Sequence, residues 1–340
     1  MTQSDHAAPP SPMAVFDAVH GFQQTAALKG ALELDLFSAI AAGASTADEL
    51  AARCEASPRG VRILADYLTV VGFLVKQDGR YRLSPVSAAF LDRQSPTYVG
   101  SVADFLAAPE EIALYADMAA VVRHGGTIAP ADGNLAAENP VWVKFARAMA
   151  PLMALPAALL AELIDRDQRP VAKVLDIAAG HGLFGLAVAR RLPAAVIHAL
   201  DWPNVVAVAE ENAAAAGLAA RFVAIRGNAF AAEFGEGYDL ALLANFLHHF
   251  DPLTCESLLR KLHRSLAPGG RVATVEFIPD PDRVSPAMPA KFALIMLATT
   301  PRGDAYTFAE YEPMFRAAGF SRVTLHGLAP TEQRVIIADK

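Results

Sequence analysis

Residues in the second half of the chain have the types and spacing to bind a nucleotide-like ligand. Residues 174–185 (VLDIAAGHGLFG) form an apolar strand pattern that runs into a glycine turn, and residues 196–201 (VIHALD) form a second strand pattern that ends in an acid. This arrangement is typical of a nucleotide-binding βαβ unit. Asp201, about 20 residues beyond the turn, is placed to hold a ribose. The glycine spacing alone fits a dinucleotide as well as other adenosyl ligands.

Asp176 distinguishes between these ligands. It lies four residues before Gly180, where a dinucleotide would bring its negative pyrophosphate. A carboxylate there repels a pyrophosphate and attracts a cation, and close charges at intermediate dielectric interact by about 4 kcal/mol. S-Adenosylmethionine (SAM) carries a sulfonium and an ammonium group. We therefore interpret the site as a methyl-donor site that takes SAM and releases S-adenosylhomocysteine (SAH), without a metal ion.

His248 is the candidate general base for a methyl transfer to a hydroxyl group. It follows the apolar strand pattern 240–244, at the carboxyl end of a strand, where parallel sheets bind their ligands. An imidazole titrates near neutral pH, and a positioned base contributes about 10²–10⁴-fold to such a reaction. The alternative is a structural histidine at the end of a strand.

Strands and helices that alternate along the second half of the chain must position these residues. Strand patterns lie near 172–177, 195–201, 221–227, 238–244 and 271–278, each followed by a helical pattern, and a helix at 308–318 precedes strands near 322–328 and 333–338. Such alternation predicts an α/β fold with a Rossmann-like, seven-stranded, mostly parallel sheet and helices on both faces.

The first hundred residues have the pattern of a winged helix. Residues 27–40 carry apolar residues at helical spacing, residues 45–49 (STADE) have a helix-start pattern, and a further helix runs over 57–72. Residues 73–83 then form a short hairpin around an Asp-Gly turn. Helix, turn, helix and wing follow in that order.

Composition excludes several classes of function. The chain has 340 residues, 54% of them hydrophobic, and a formal net charge of −7, which argues against a non-specific grip on nucleic acid or an acidic membrane. Cys54 and Cys255 have no metal-type spacing, which is typical of a reduced, cytoplasmic protein. The apolar stretch 151–163 is too short to span a bilayer. We expect a soluble protein with a small-molecule partner.

These motifs together resemble the class I SAM-dependent methyltransferases, specifically the caffeate/acetylserotonin-type small-molecule O-methyltransferases of plants and bacteria. Residues 28–37 and 57–64 are similar to the amino-terminal dimerisation domain of that family. The five motifs of the family's catalytic domain correspond to residues 176–182, 199–203, 227–230, 245–249 and 266–270, the last extended by 275–277. The resemblance implies a homodimer with a winged-helix dimerisation domain over 13–100, a helical acceptor-lining segment over 101–165 and a SAM-binding catalytic domain over 166–340. The polar, proline-containing residues 1–12 are expected to form a disordered tail.

The resemblance also implies a set of donor-binding residues. They are Asp176, Gly180, Gly182, Asp201, Trp202, Asn228, Ala229 and Asn245. Asp201 is expected to bind the ribose hydroxyls and Trp202 the adenine face. Asn228 stands where the family commonly has an aspartate that contacts the adenine amino group, and an amide oxygen can do the same. Ala229 and Ala244 replace a methionine and a lysine that occur in relatives.

For the base, the resemblance implies a histidine oriented by an acid. His248 matches the catalytic histidine and Glu276 the acid, whereas His249 replaces the aspartate of plant-type relatives. A second acid of the family is expected near Asp304, which is one position out of register, with Ala305 at the matched place.

The expected acceptor-binding residues are largely apolar, which favours a flat aromatic or otherwise apolar acceptor over a sugar. They are Phe145, Met149, Phe292, Ile295, Met296 and His249.

Several alternatives remain open at this point. The acceptor atom could be sulfur, nitrogen or carbon, and some relatives keep SAM as a structural element for other chemistry. An NAD-dependent oxidoreductase would also use a glycine turn. A winged-helix regulator would need a basic recognition helix, but the candidate helix offers only Arg59 and Arg62.

Overall fold

The computed structural model describes residues 11–129 and 139–340, which form two compact units. The first unit extends to Ala107 and the second begins at Ala108. Most of the expected tail, and residues 130–138 of the segment expected to line the acceptor site, lie outside the described residues.

The amino-terminal unit is mostly helical with one hairpin. Its elements are α1 Met13–Glu33, α2 Leu36–Ala41, α3 Ala47–Arg53, α4 Pro58–Val70, β1 Leu74–Gln77, β2 Arg80–Leu83, α5 Pro85–Phe90 and α6 Val102–Leu106. The predicted helix starts are confirmed, because Thr46 forms a capping box with Glu49 and Ser57 caps α4. The single helix predicted over 27–40 is wrong, because the chain breaks at Asp35 (φ 51°) and forms α1 and α2.

The carboxyl-terminal unit is an α/β sandwich around one sheet. Its elements are α7 Pro109–Ala113, α8 Met118–His124, α9 Val141–Arg166, β3 Lys173–Ile177, α10 Leu183–Arg191, β4 Val196–Asp201, α11 Pro203–Ala215, β5 Phe222–Arg226, β6 Tyr238–Ala244, α12 Pro252–Ser265, β7 Leu266–Glu276, α13 Ala287–Thr299, α14 Phe308–Ala317, β8 Arg322–Gly327 and β9 Arg334–Asp339. Contrary to prediction, the strand β5 is followed by turns and bends and not by a helix.

The sheet has seven strands in the order β5-β4-β3-β6-β7-β9-β8, which confirms the predicted Rossmann-like fold. Strands β3 to β7 pair in parallel, and β9 lies antiparallel between β7 and β8. The strand order reverses between β3 and β6. A ligand is therefore expected at the carboxyl ends of these strands, where the reversal opens a crevice.

Alternating side chains of the central strands build two core layers, one on each face of the sheet. Val174 and Leu242 pack with α9, α10 and α11, whereas Leu175 and Leu243 pack with α12 and α14. Asp176 follows the same alternation and therefore projects to the α10 face, in the middle of an apolar layer. This placement makes it a buried acid.

The long helix α9 belongs to that first layer. The whole helix is longer than the apolar stretch 151–163 that it contains, and among the described helices it is the one that is long and apolar enough to cross a membrane. Nevertheless, Ala157, Leu160 and Ile164 are almost completely buried in the core of the unit. A core helix of a globular unit accounts for this apolar composition.

Candidate active site

A cavity of about 250 Å³ opens at the carboxyl ends of β3, β4 and β6. It brings together almost all of the predicted donor-binding residues. Asp176, Gly180, Asp201, Trp202, Asn228, Ala229 and Asn245 line it, together with Phe145 and His249 from the predicted acceptor set. The predicted donor residue outside this lining is Gly182.

The glycine turn has the backbone conformation that its residues predict. Gly180 has φ +56° and Gly182 has φ +73°, both in the left-handed region that favours glycine. A Cβ atom at Gly182 would lie 2.8 Å from the Cβ of Ala209 in α11, so this glycine serves the packing of two helices. Ala178 also has a positive φ of 53°, which is strained for alanine.

Asp201 is held by the glycine turn and by the start of α11. Its Oδ2 accepts a hydrogen bond from the backbone N–H of Gly180 (2.8 Å), and its Oδ1 accepts one from Trp202 (2.7 Å). Burial raises the pKa of Asp201 to about 6, although these two N–H groups act in the opposite direction. The carboxylate is thus fixed in position, but its ionised form is disfavoured by the surrounding protein.

Asp176 lies beneath the turn and is 1% exposed. Its Oδ2 accepts one hydrogen bond, from the N–H of Gly185 in α10 (3.1 Å). Burial raises its pKa to about 7, and the nearby charge of Asp201 adds to this rise. The cavity therefore contains the buried Asp176 and the half-buried Asp201, whose ionised forms are disfavoured until a positive charge approaches. This pair fits a cationic ligand and not a pyrophosphate.

A loop after β5 forms another wall of the cavity. Lys261 of α12 holds this loop, because its Nζ donates to the carbonyl groups of Ala229 (3.1 Å), Phe230 (3.1 Å) and Ala232 (2.6 Å). The Oδ1 of Asn228 accepts from the N–H of Phe230 (2.8 Å), so a ligand amino group would use the second lone pair of that oxygen.

The candidate base is paired with the predicted acid. His248 is 4% exposed and Glu276 0% exposed, and Nδ1 of His248 lies 2.5 Å from Oε2 of Glu276. The other oxygen of Glu276 accepts the backbone N–H groups of Phe246 (3.1 Å) and Leu247 (2.9 Å). These bonds assign the proton of neutral His248 to Nδ1 and leave the Nε2 lone pair for a substrate proton.

The second expected acid does not take part in this pair. The carboxylate of Asp304 pairs with Arg283 (3.3 Å), while its backbone N–H donates to the carbonyl oxygen of His248 (3.0 Å). Ala305 is fully buried. The segment around Asp304 therefore supports the backbone of His248 and not its imidazole.

His249 is the member of the histidine pair that lines the cavity, whereas His248 is not among the described residues of the lining. The ring centroid of His249 is 4.3 Å from that of His248. Burial, with His248 as a lesser cause, holds the pKa of His249 well below its usual range, so this imidazole is neutral at pH 7. Its Nδ1 is buried and has no hydrogen-bond partner among the described residues.

The remaining predicted acceptor residues lie outside the cavity lining. Phe292 packs edge-on against His248, with ring centroids 4.7 Å apart. Met149 and Met296 are buried, and Ile295 is half-buried on the same helix as Phe292. Their contact with an acceptor stays a prediction.

Sequence analysis missed an aromatic group in the cavity wall. Trp142, Phe230, Phe246 and Phe250 all line the cavity; Phe250 directly follows the histidine pair in the chain, and Phe246 lies two residues before it. Aromatic residues on both sides of the two histidines were the available signal.

Comparisons with known proteins agree with this geometry. Residues 124–321 match the family model of the O-methyltransferase domain, and residues 16–93 match the O-methyltransferase dimerisation domain. A 3-hydroxy-5-methyl-1-naphthoate 3-O-methyltransferase from Streptomyces sahachiroi is 30% identical over 97% of this chain and 95% of its own. The fold is that of a class I methyltransferase.

Two solved structures are similar over nearly the whole chain. A candidate O-methyltransferase from Nostoc punctiforme is 51% identical with a TM-score of 0.95, covering 98% of this chain and 100% of its own. PigF, a methyltransferase of Serratia solved with SAH, is 25% identical with a TM-score of 0.85, covering 97% and 100%. The chain therefore belongs to the O-methyltransferase family, and SAM is its methyl donor.

Proposed function

We propose that this O-methyltransferase moves the methyl group of SAM to a hydroxyl of a small aromatic molecule, with His248 as general base. The observation that carries the proposal is the buried His248–Glu276 pair, in which Nδ1 is engaged and Nε2 is left as a proton acceptor. The aromatic wall of the cavity and the naphthoate acceptor in the name of the Streptomyces relative support an aromatic acceptor.

The two acids of the cavity, Asp176 and Asp201, fit the methyl donor. SAM supplies an activated methyl group on a good leaving group when it is bound. Asp201 would hold the ribose hydroxyls, Asp176 would favour the positive charge, and Trp202 would cover the adenine. Gly180 and Asn245 complete this binding surface.

His248 and Glu276 would carry the proton chemistry. The acceptor O–H donates to Nε2 of His248, and its proton moves there as the oxygen bonds to the methyl carbon. The C–S bond breaks with its electron pair left on sulfur, which yields SAH and a methyl ether. Glu276 stabilises the imidazolium that forms, because its charge lies against Nδ1. Positioning contributes roughly 7–11 kcal/mol and the base about 10²–10⁴-fold.

A matched set of acceptors tests this proposal. Labelled SAM is incubated with 2-naphthol, 2-naphthalenethiol and 2-naphthylamine, and the products are separated. We expect the methyl ether to form fastest, and His248→Ala to lose about 10²–10⁴-fold in turnover while it still binds SAH by calorimetry. Unchanged turnover in that variant, or preference for the thiol or amine, would contradict the proposal.

The amino-terminal unit is proposed to form a homodimer. Val15, Val19 and Phe22 lie along one side of α1 and are more than half exposed, as is Phe16. Such an apolar stripe fits a second copy of the chain, in line with the dimerisation model matched over 16–93. Phe22→Asp should give a monomer in light scattering, whereas the unaltered chain should have twice that mass.

Two further parts of the interpretation are also proposals. We propose that residues 101–165 contribute to acceptor binding and that the protein is cytoplasmic.

A further inference from the structure

We propose that Lys261 is a positioning residue of the donor site. Its ammonium group fixes the turn over residues 228–232, so that this wall of the cavity already has its ligand-binding shape when SAM arrives. The inference rests on the donor site of the proposed function. It begins with the three carbonyl groups that Nζ of Lys261 binds, because all three belong to this one turn.

Asn228 gathers the N–H groups at one end of the turn. Its carbonyl oxygen accepts the backbone N–H groups of Ala231 (3.0 Å) and Ala232 (2.8 Å). Its side-chain Oδ1 accepts the N–H of Phe230 (2.8 Å), which also fixes the orientation of the amide group. Three consecutive N–H groups therefore converge on Asn228, as they would at the start of a helix.

Lys261 closes the opposite, carbonyl end of the turn. Its Nζ donates to Ala229 (3.1 Å), Phe230 (3.1 Å) and Ala232 (2.6 Å), and it lies 4.1 Å from the ring centroid of the buried Phe234. An ammonium group has three N–H donors, and three carbonyl groups can use all of them. A cation at the carbonyl end of a helical turn is also favourable for the turn's dipole. Lys261 is thus bound to the turn and not merely a surface charge.

The turn transmits the effect of Lys261 to the cavity. Asn228, Ala229 and Phe230 line the cavity, whereas Lys261 is not among the described residues of the lining. A loop that already has its bound conformation loses less conformational entropy when the ligand binds. Loss of the ammonium group should therefore weaken donor binding and leave the methyl-transfer step itself unchanged.

Three variants of the full chain test this role. Lys261→Met removes the ammonium group and keeps most of the side-chain length, and Lys261→Arg keeps the charge and several donors. Arg264→Met is the matched control, because it removes the same charge from an exposed position on the same helix. SAH binding is measured by calorimetry, and the SAM dependence of methyl transfer to 2-naphthol gives KM and kcat separately.

We expect Lys261→Met to weaken SAH binding about tenfold and to raise KM for SAM by a similar factor, with kcat within about twofold. Lys261→Arg should recover part of this loss, and Arg264→Met should stay within about twofold of the unaltered chain. Asn228→Ala disturbs the same turn from its other end. The double variant with Lys261→Met should therefore lose less affinity than the product of the two single losses.

The inference is overturned if Lys261→Met binds SAH as tightly as the unaltered chain, if Arg264→Met loses as much, or if kcat falls as far as the affinity. Losses in the double variant that equal the product of the single losses would also overturn it, since the two residues would then act separately. Unfolding temperatures report whether each variant is folded, and Lys261→Gln replaces Lys261→Met if the latter does not fold. SAH binding needs no acceptor. The absence of any methyl ether would therefore refute the proposed function and leave this inference standing.

Discussion

Buried acids occur in both halves of the active site, but the protein binds them differently. On the β3–β4 side, Asp176 accepts a single backbone hydrogen bond and has a pKa raised to about 7. On the β7 side, Glu276 accepts two backbone N–H groups and an imidazole. In the base half, the pair formed by Glu276 and the proposed base His248 is thus complete within the protein, whereas Asp176 in the donor half still lacks a positive charge, which a ligand would supply.

The largest expected effect tests the completeness of the base half. In Glu276→Gln, the amide would donate to Nδ1 of His248 and thereby force the proton onto Nε2, where the base is needed. We expect kcat to fall by about 10²–10⁴-fold with little change in SAH affinity. Asp304→Asn is the matched control, because the carboxylate of Asp304 pairs with Arg283 at the surface. Equal losses of kcat in both variants would contradict the prediction that Glu276, and not Asp304, orients His248.

The next prediction disturbs the donor half through its packing. A Cβ atom at Gly185 would lie 2.8 Å from Oδ2 of Asp176 and 2.7 Å from Cγ2 of Ile197. Gly185→Ala should therefore displace the carboxylate, weaken SAM binding by about tenfold and lower the free energy of unfolding by about 1–3 kcal/mol. Calorimetry and urea unfolding measure the two effects. Gly60→Ala, where the new atom meets Ser57 at 3.8 Å, is the control, and a similar SAM loss there would contradict the prediction.

A smaller effect follows from the pKa values of the donor half. A bound cation favours ionised carboxylates, so it lowers the pKa values of Asp176 (about 7) and Asp201 (about 6) from those of the free site. SAM affinity should be greatest above pH 7 and fall about 3–10-fold as the pH drops through 7 to 6. The binding constant is measured by calorimetry between pH 5 and 8.

Two comparisons make this pH effect specific. SAH lacks the sulfonium charge and should show a weaker pH dependence than SAM. Asp176→Asn should bind SAM more weakly at pH 8 and lose the upper part of the pH profile. An identical profile for SAM and SAH would argue that the buried acids do not respond to the charge of the donor.

The smallest predicted effect concerns backbone strain in the donor half. Ala178 has φ 53°, and relief of this strain should outweigh the extra freedom that glycine brings to the unfolded chain. Ala178→Gly should raise the free energy of unfolding by about 0.5 kcal/mol. Ala179→Gly serves as the control, since its φ is not among the positive values, and it should be destabilising. Denaturant unfolding of both variants checks the signs.

Local patterns in the sequence predicted most of the fold and much of the site. The alternation of strands and helices fixes the parallel sheet, and the strand ends place Asp176, Asp201 and His248 at one edge. Helix starts at Thr46 and Ser57 were readable because a cap involves residues only a few positions apart.

Features that depend on distant contacts could not be read in this way. The partner of Asp304 is Arg283, 21 residues away, and spacing along the chain does not reveal that pair. The single hydrogen bond of Asp176 depends on how α10 packs on β3. The polar partner missing from His249 became visible only after the aromatic wall around it had been placed.

The position of β9 has a consequence for protein synthesis. The ribosome makes this strand after all the others of the sheet, yet β9 lies between β7 and β8. Gln333, the residue just before β9, donates a hydrogen bond to Asn245 in the cavity wall. A nascent chain that still lacks β9 exposes an open edge on β7, the strand that carries Glu276. Completion of the active site is thus a late event in biogenesis, and chains stalled before β9 would present an unpaired edge to chaperones.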